Sequence, residues 1–252
     1  MKRASAILAC LVAGHAAAAG LFWWFINVPE SNITMLSLSA ALIVLTIVVL
    51  GWTEATALLL WDSACGFRRA ARRAFGALPA FIVGLLVFAL FWWMTARADA
   101  WATAYSGQID AWWMASTGSA KTAWIHSGLA IALWLLRYVA GVSLAVAALA
   151  AGATGGRRAL LSARWLRAAL ARRQLGAIGL AMLLAVWLPL RATGWRPDAI
   201  PPTAVEAVFI AAKLGLLYLV LNAGWALVLK AGATGAASRP SISAASSAPS
   251  PS

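Results

Sequence analysis

Six long apolar stretches constrain the fold of this chain more than any other feature of the sequence. A helix that crosses a bilayer needs roughly 20 mostly apolar residues at about 1.5 Å rise per residue. The stretches that reach or nearly reach this length are 6–26, 33–61, 76–95, 123–152, 175–190 and 203–229. The fifth is the shortest and ends near Pro189. We expect an all-α, polytopic integral membrane helical bundle with about six transmembrane helices within residues 1–230.

The composition agrees with a chain whose solvent is mostly lipid. Hydrophobic residues make up 63% of the 252 residues, charged residues make up 11%, and the mean hydropathy is +0.84. A water-soluble fold of this composition would have too little polar surface to cover itself. The formal net charge of +13 resembles that of a nucleic-acid-binding protein, but the apolar content argues against that class. We expect no nucleic-acid partner.

The basic residues are distributed unevenly between the two sides that six crossings define. Fourteen lie on the side of the two termini and four lie on the opposite side. Because cytoplasmic loops carry the Lys/Arg excess, we expect both termini to be cytoplasmic (N-in/C-in), in a bacterial cytoplasmic (inner) membrane. Tryptophans agree with this orientation, since Trp23, Trp92 and Trp124 fall at the predicted outer boundary, where indole rings favour the headgroup layer.

Two arginine-rich segments supply most of the basic excess. The first contains Arg68, Arg69, Arg72 and Arg73, and the second contains Arg157, Arg158, Arg164, Arg167, Arg172 and Arg173. In the first segment the arginines share one helical face with alanines opposite, which predicts a short interfacial helix. Both segments should attract anionic lipid headgroups, at about 1 kcal/mol per basic residue near the surface. The alternative ligand is a membrane protein or an acidic cytoplasmic protein.

Three other segments carry structural expectations. Residues 97–122 are too long for a tight outer loop, and apolar residues recur at every fourth position from Trp101 to Trp113. This spacing predicts a helix that lies in the outer interface or extends the third span. Residues 231–252 are rich in Ser, Ala and Pro and should form a disordered cytoplasmic tail. The first span is expected to remain uncleaved, with removal of residues 1–19 as a signal peptide as the alternative.

Ionisable residues inside the spans form the candidate functional site, because a charge within the bilayer is costly and requires a partner. They are Glu54, Arg137 and Lys213, with Glu206 seven residues before Lys213 on a similar helical face. Glu54 lies about 10 Å from the inner end of its helix, within reach of either long basic side chain. One carboxylate cannot neutralise both cations. The group is therefore either a structural tie between helices or a solute or proton site.

Other familiar chemical patterns are missing from the sequence. His15 and His126 lie at different predicted depths, which argues against shared haem ligation, and no GxxxxGK[ST], HExxH, CxxC or GxSxG pattern occurs. Cys10 and Cys65 both lie near the predicted cytoplasmic face, so we expect no disulfide. We expect no catalytic residue, no metal ligands and no cofactor.

Three functional hypotheses follow from these observations. The first is a small-solute permease, or a membrane subunit of a transport system, with the buried charges near the solute path. The second is a non-catalytic membrane scaffold whose arginine-rich cytoplasmic face binds lipid or a protein partner. The third, an intramembrane enzyme, ranks last because no nucleophile and base occur at matched depth. A water-accessible cavity that reaches the buried charges favours the permease, whereas charges paired with one another in a closed bundle favour the scaffold.

Overall fold

The computed structural model describes residues 2–29, 31–61, 66–195 and 204–237 of the chain, and within these residues it contains helices and no strand. The predicted all-α class is therefore confirmed. The helices are α1 (Lys2–Asn27), α2 (Ile33–Trp61), α3 (Phe67–Ala74), α4 (Leu78–Ala104), α5 (Ser106–Thr117), α6 (Ala123–Trp134), α7 (Gly141–Leu161), α8 (Arg164–Ala169), α9 (Arg172–Met182), α10 (Leu188–Thr193) and α11 (Ala204–Ala237).

Within the described residues, six helical stretches are long and apolar enough to cross a membrane, as the sequence predicts. They are Arg3–Asn27, Ile33–Trp61, Phe67–Ala104, Ala123–Leu161, Arg172–Thr193 and Val205–Thr234. The chain is a multi-pass integral membrane protein. The third and fourth stretches continue well past the predicted ends at residues 95 and 152. The third span continues as helix into polar sequence to Ala104, whereas the fourth has a kink at Gly156 (φ 63°, ψ −159°) before it reaches Leu161.

The fifth span does not end at the proline that appeared to limit it. Pro189 lies inside α10, which continues to Thr193, and the π-helical turn Leu183–Trp187 precedes it. A proline in a helix lacks the N–H that would bond to the carbonyl four residues earlier, and its ring crowds that carbonyl. The π-helical turn, which is wider than an α-helical turn, lies just before Pro189, where this hydrogen bond is missing. A second π-helical turn, Leu135–Ala140, joins α6 to α7 in the fourth span.

The first arginine-rich segment forms the short helix α3, and the second runs from the end of α7 through α8 to the start of α9. In α3, the side chains of Ala70 and Ala74 are buried while the four arginines are exposed, as the amphipathic pattern predicts. The indole Nε1 of Trp52 on α2 donates to the backbone oxygen of Ala71 at 2.9 Å, which fixes α3 to the span before it. In the second segment, Trp165 on α8 is buried, and all six arginines are exposed.

Residues 97–122 and the C-terminal tail differ in part from the structures that the sequence predicts. Residues 97–104 extend α4, and α5 then forms a separate helix because the backbone changes direction at Tyr105. The tail prediction is wrong for its first seven residues, since α11 continues to Ala237. Ala231 and Gly232 are buried, with Gly232 against Val146 of α7. Small residues permit this close contact without an apolar signal. Residues 238–252 lie outside the described residues.

Close approach between helices in the bundle depends on small residues. Gly14 of α1 lies against Thr53 of α2, and Gly152 of α7 lies against Ala80 of α4. On α11, a Cβ placed on Gly224 would lie 2.7 Å from the backbone of Ala185 in the fifth span. Such contacts replace the hydrophobic driving force that helices in lipid lack.

We predict that Gly224→Ala destabilises the bundle by about 1–3 kcal/mol, because the new methyl group meets backbone atoms that cannot rotate away. The matched control is Gly215→Ala on the same helix, where nothing lies within 4 Å of the added Cβ. That control should be neutral or slightly stabilising, since alanine favours helix over glycine. Thermal unfolding in detergent measures both changes, and equal midpoints for the two variants would contradict the packing described for α11.

Candidate functional site

The buried charges predicted to pair with one another do not do so. Arg137 donates through Nε to the hydroxyl of Thr95 at 2.9 Å, and its guanidinium lies 4.5 Å from the ring centroid of Trp92. Lys213 donates through Nζ to the backbone oxygens of Thr193 and Trp195, at 2.7 and 2.5 Å. The predicted pairing of Glu54 with either cation is therefore wrong. Arg137 instead contacts a hydroxyl and an aromatic ring of α4, and Lys213 contacts two backbone carbonyls near the end of the fifth span.

Glu206 also lies apart from Glu54. It lines a separate recess of about 320 Å³ together with Lys213, Thr193 and Phe209. The four ionisable residues singled out in the sequence thus lie in three places: Arg137 on the α4–α6 side, Lys213 and Glu206 between the end of the fifth span and α11, and Glu54 in the core. Of these, Glu54 is buried, with 6% of its surface exposed.

Both carboxylate oxygens of Glu54 have partners on other helices. Oε1 lies 2.8 Å from Nε2 of His15 on α1, and Oε2 accepts a hydrogen bond from the indole Nε1 of Trp225 on α11 at 2.6 Å. The three side chains join α1, α2 and α11 at the centre of the bundle. We call His15, Glu54, Asn222 and Trp225 the core polar cluster.

Asn222 determines which nitrogen of His15 carries a proton. Its Nδ2 lies 2.8 Å from the backbone oxygen of Tyr218, and a carbonyl oxygen can only accept a hydrogen bond. The amide oxygen Oδ1 is therefore the atom that lies 2.7 Å from Nδ1 of His15. Because Oδ1 is an acceptor, Nδ1 of His15 must donate. The hydroxyl of Tyr218 donates to the backbone oxygen of Val12 at 2.7 Å, which holds α11 against α1.

The same geometry fixes the number of protons in the contact between His15 and Glu54. Nε2 and Oε1 are both acceptors when unprotonated, so their 2.8 Å separation requires one proton between them. The proton gives either an imidazolium beside a carboxylate or a neutral imidazole beside a carboxylic acid. In both arrangements the pair has no net charge, which is the state that a low-dielectric interior favours.

An apolar cavity of about 320 Å³ adjoins the core polar cluster. Among the described residues of its wall, Glu54 is the charged one, and Trp225 also contributes to the wall. The wall comes from α2, α4, α7, α9, α11 and both π-helical turns, through Tyr138 in the first turn and Val186 in the second. π-helical turns inside helices occur frequently at functional sites.

The arrangement is suited to binding rather than to acid–base catalysis. Both ring nitrogens of His15 are engaged, one by Asn222 and one by Glu54, so neither is directed at the cavity as a base. Among the residues that the structure describes, no group of three or more His, Cys, Asp or Glu side chains is placed to hold a metal ion. The cluster can hold or release a proton beside the cavity wall.

A second histidine–carboxylate pair lies at the end of the bundle where α5 meets α6. His126 on α6 contacts Asp110 on α5, with Nε2 and Oδ1 2.8 Å apart. This hydrogen bond, assisted by one from Thr122, holds the pKa of the Asp110 carboxyl below its usual value. Trp113 packs edge-on against Trp124 in the same region, with ring centroids 4.9 Å apart. The pair joins α5 to the start of the fourth span.

The sequence contains a signal for the core polar cluster, because His15 and Asn222 are polar residues inside apolar spans. Pairing by opposite charge alone omits Asn222 and does not predict that His15 contacts Glu54. A buried carboxylate is matched by any nearby donor, including a neutral one. No protein-family model, curated protein or solved structure matches this chain. The functional proposal therefore rests on the geometry of the core polar cluster and of the adjoining cavity.

We predict strong coupling between His15 and Glu54 in a double-mutant cycle. His15→Leu alone leaves one Glu54 oxygen without its partner and should cost about 2–3 kcal/mol. Adding Glu54→Leu removes the orphaned group, so the double variant should be more stable than the sum of the single changes predicts. Unfolding free energies in detergent measure the cycle. Purely additive effects would contradict the contact.

Proposed function

We propose that the chain is a small-solute permease, or the membrane subunit of a transport system, and that the solute binds in the cavity beside Glu54. The observation that carries this proposal is the combination of an apolar cavity and a buried, partnered carboxylate in its wall. Polar groups placed in a mostly apolar pocket are the usual arrangement of a small-molecule site. Ionisable residues within membrane spans commonly mark solute or proton pathways.

The size of the cavity supports the same assignment. A space of about 320 Å³ lies at the small end of the range for ligand pockets, roughly 300–1,000 Å³. The two π-helical turns contribute to the wall, and each interrupts the regular hydrogen bonding of its span. These interruptions are suitable places for a helix to change shape during transport.

We also propose that both termini and the arginine-rich face lie on the cytoplasmic side of a bacterial inner membrane. The support is the excess of Lys and Arg on the side of the termini and the exposure of all ten arginines in the two segments. On this orientation, α3 presents Arg68, Arg69, Arg72 and Arg73 along an open recess of about 740 Å³. Anionic lipid headgroups are the proposed ligand of this surface.

The scaffold alternative is favoured by one specific observation: the two other charged residues singled out within the spans already have partners. Arg137 and Lys213 have partners within the bundle and do not line the cavity. A scaffold that binds lipid or an acidic protein through its arginine-rich face needs no access to the cavity from water. The two functions therefore differ in whether residues in the cavity wall become exposed to both compartments.

Cysteine accessibility separates the permease from the scaffold without knowledge of the solute. In a background where Cys10 and Cys65 are replaced by Ala, Ala145→Cys places a thiol in the cavity wall. We predict that a charged, membrane-impermeant methanethiosulfonate reagent labels this thiol in right-side-out and in inside-out vesicles, because a permease opens its site to each side in turn.

The matched control is Ala148→Cys on the same helix, one turn away. Ala148 is fully buried and does not line the cavity, so this thiol should remain unlabelled in both vesicle types. Absence of labelling at Ala145→Cys from either side would favour the scaffold. Labelling from one side alone would indicate a binding site without alternating access, and it would also contradict the permease.

A further inference from the structure

We infer that the solute is an organic ammonium ion and that its binding releases the proton shared by His15 and Glu54. The inference rests on the proposed function and specifies its substrate class and its coupling. It follows from three features of the described residues: the aromatic side chains in the cavity wall, the carboxylate beside them, and the proton count of the core polar cluster.

Aromatic rings make the cavity suitable for an organic cation. Phe81, Phe88, Tyr138 and Trp225 all contribute to its wall, on α4, the first π-helical turn and α11. The faces of aromatic rings attract cations, and aromatic cages are the recurring recognition element for quaternary and alkylated ammonium groups. The remaining lining is aliphatic, including Leu50, Val142 and Met182. Such a wall suits the alkyl or aryl substituents of an amine and offers little to a strongly hydrated inorganic ion.

Charge balance connects binding to proton release. With its shared proton, the His15–Glu54 pair is neutral, so an ammonium ion in the cavity would leave the site with an uncompensated positive charge. Loss of that one proton to water leaves neutral His15, still donating from Nδ1 to Asn222, and ionised Glu54, still accepting from Trp225. Nε2 of His15 and Oε1 of Glu54 are then both acceptors, so these two atoms must move apart from their 2.8 Å contact. One positive charge enters and one leaves. The net charge of the site is unchanged.

Other titratable groups near the cluster do not alter this balance. Cys10 on α1 lies within electrostatic reach of Glu54, and Tyr138 and Tyr218 contribute neutral phenols from the first π-helical turn and α11. Lys230, further along α11, lies 5.4 Å from the ring centroid of Trp61. In the described part of α4, α7 and α9, no charged residue lines the cavity. The shared proton is therefore the charge that the cation exchanges with.

Exchange at one site gives the transport reaction its direction. A site that holds either the proton or the ammonium ion, but not both, moves the two in opposite senses across the membrane with a ratio of one to one. The inward proton gradient of a bacterial membrane would then drive export of the cation, on the orientation proposed above.

The test uses phenyltrimethylammonium as probe and its uncharged isostere tert-butylbenzene as comparison, with the full-length protein in detergent. Calorimetric titration in two buffers of different ionisation enthalpy gives the number of protons released per cation bound. We expect one proton, and an affinity that rises about tenfold per pH unit while the pair holds its proton, as linkage requires. Displacement of radiolabelled probe measures binding of the isostere, which should be weaker and independent of pH.

Two substitutions and one control identify the site. Glu54→Gln removes the exchangeable charge, so proton release and its pH dependence should disappear. Val142→Phe fills the cavity from α7 and leaves the four side chains of the core polar cluster unsubstituted, so it should prevent binding even if Glu54→Gln folds poorly. The matched control is Glu206→Gln, which changes another membrane-span glutamate in a separate recess. It should release one proton as the unsubstituted protein does.

The outcomes distinguish this inference from the proposed function. Binding of tert-butylbenzene to the cavity, with no proton released by the cation, would overturn the inference and leave the solute site intact. Binding of neither probe would also overturn it, and the accessibility of Ala145→Cys would then decide separately whether the chain is a permease. Proton release that persists in Glu54→Gln would place the exchanging group elsewhere and overturn the inference as well.

Discussion

The contact between Glu54 and His15 is the interaction on which the interior of this bundle depends. The hydrocarbon core supplies no water, so a carboxylate at this depth must find its donors within the protein. Glu54 finds them on two other helices, through His15 and Trp225, and Asn222 fixes the orientation of the imidazole. These hydrogen bonds determine how α1 and α11 are positioned on α2, because displacement of either helix would leave a buried polar atom unpaired.

The cavity beside the cluster exists because the surrounding spans are irregular. Close contacts such as Gly224 with Ala185 bring α11 against the fifth span, while the π-helical turns in the fourth and fifth spans change the direction of the side chains that follow. Gly224 packs directly on the second π-helical turn, since Ala185 lies within it, and residues of both π-helical turns line the open volume next to Glu54. The same features that stabilise the bundle thus shape the site proposed for the solute.

The sequence predicts the spans well and the contacts between them poorly, for a physical reason. Crossing a bilayer requires a local property, about 20 apolar residues in succession, and all six stretches are found where the hydropathy indicates. Pairing is not local: Glu54 and Asn222 are far apart in sequence, and Arg137 is satisfied by a hydroxyl and an indole that composition does not distinguish. Two helices also extend beyond the ends that hydropathy predicts. The fifth span continues past Pro189 because a π-helical turn precedes the proline. The last helix continues through residues 231–237, where small residues pack against α7.

The protonation of His15 tests the central claim most directly, because only two histidines occur in the chain. ¹⁵N NMR of histidine-labelled protein, with His126→Gln used to assign the remaining signal, reports whether each ring nitrogen carries a proton. The account predicts that Nδ1 of His15 is protonated at every pH at which the bundle is folded, and that Asn222→Leu removes this preference. An unprotonated Nδ1 in the folded protein would contradict the hydrogen-bond order through Asn222, His15 and Glu54, and with it the shared proton.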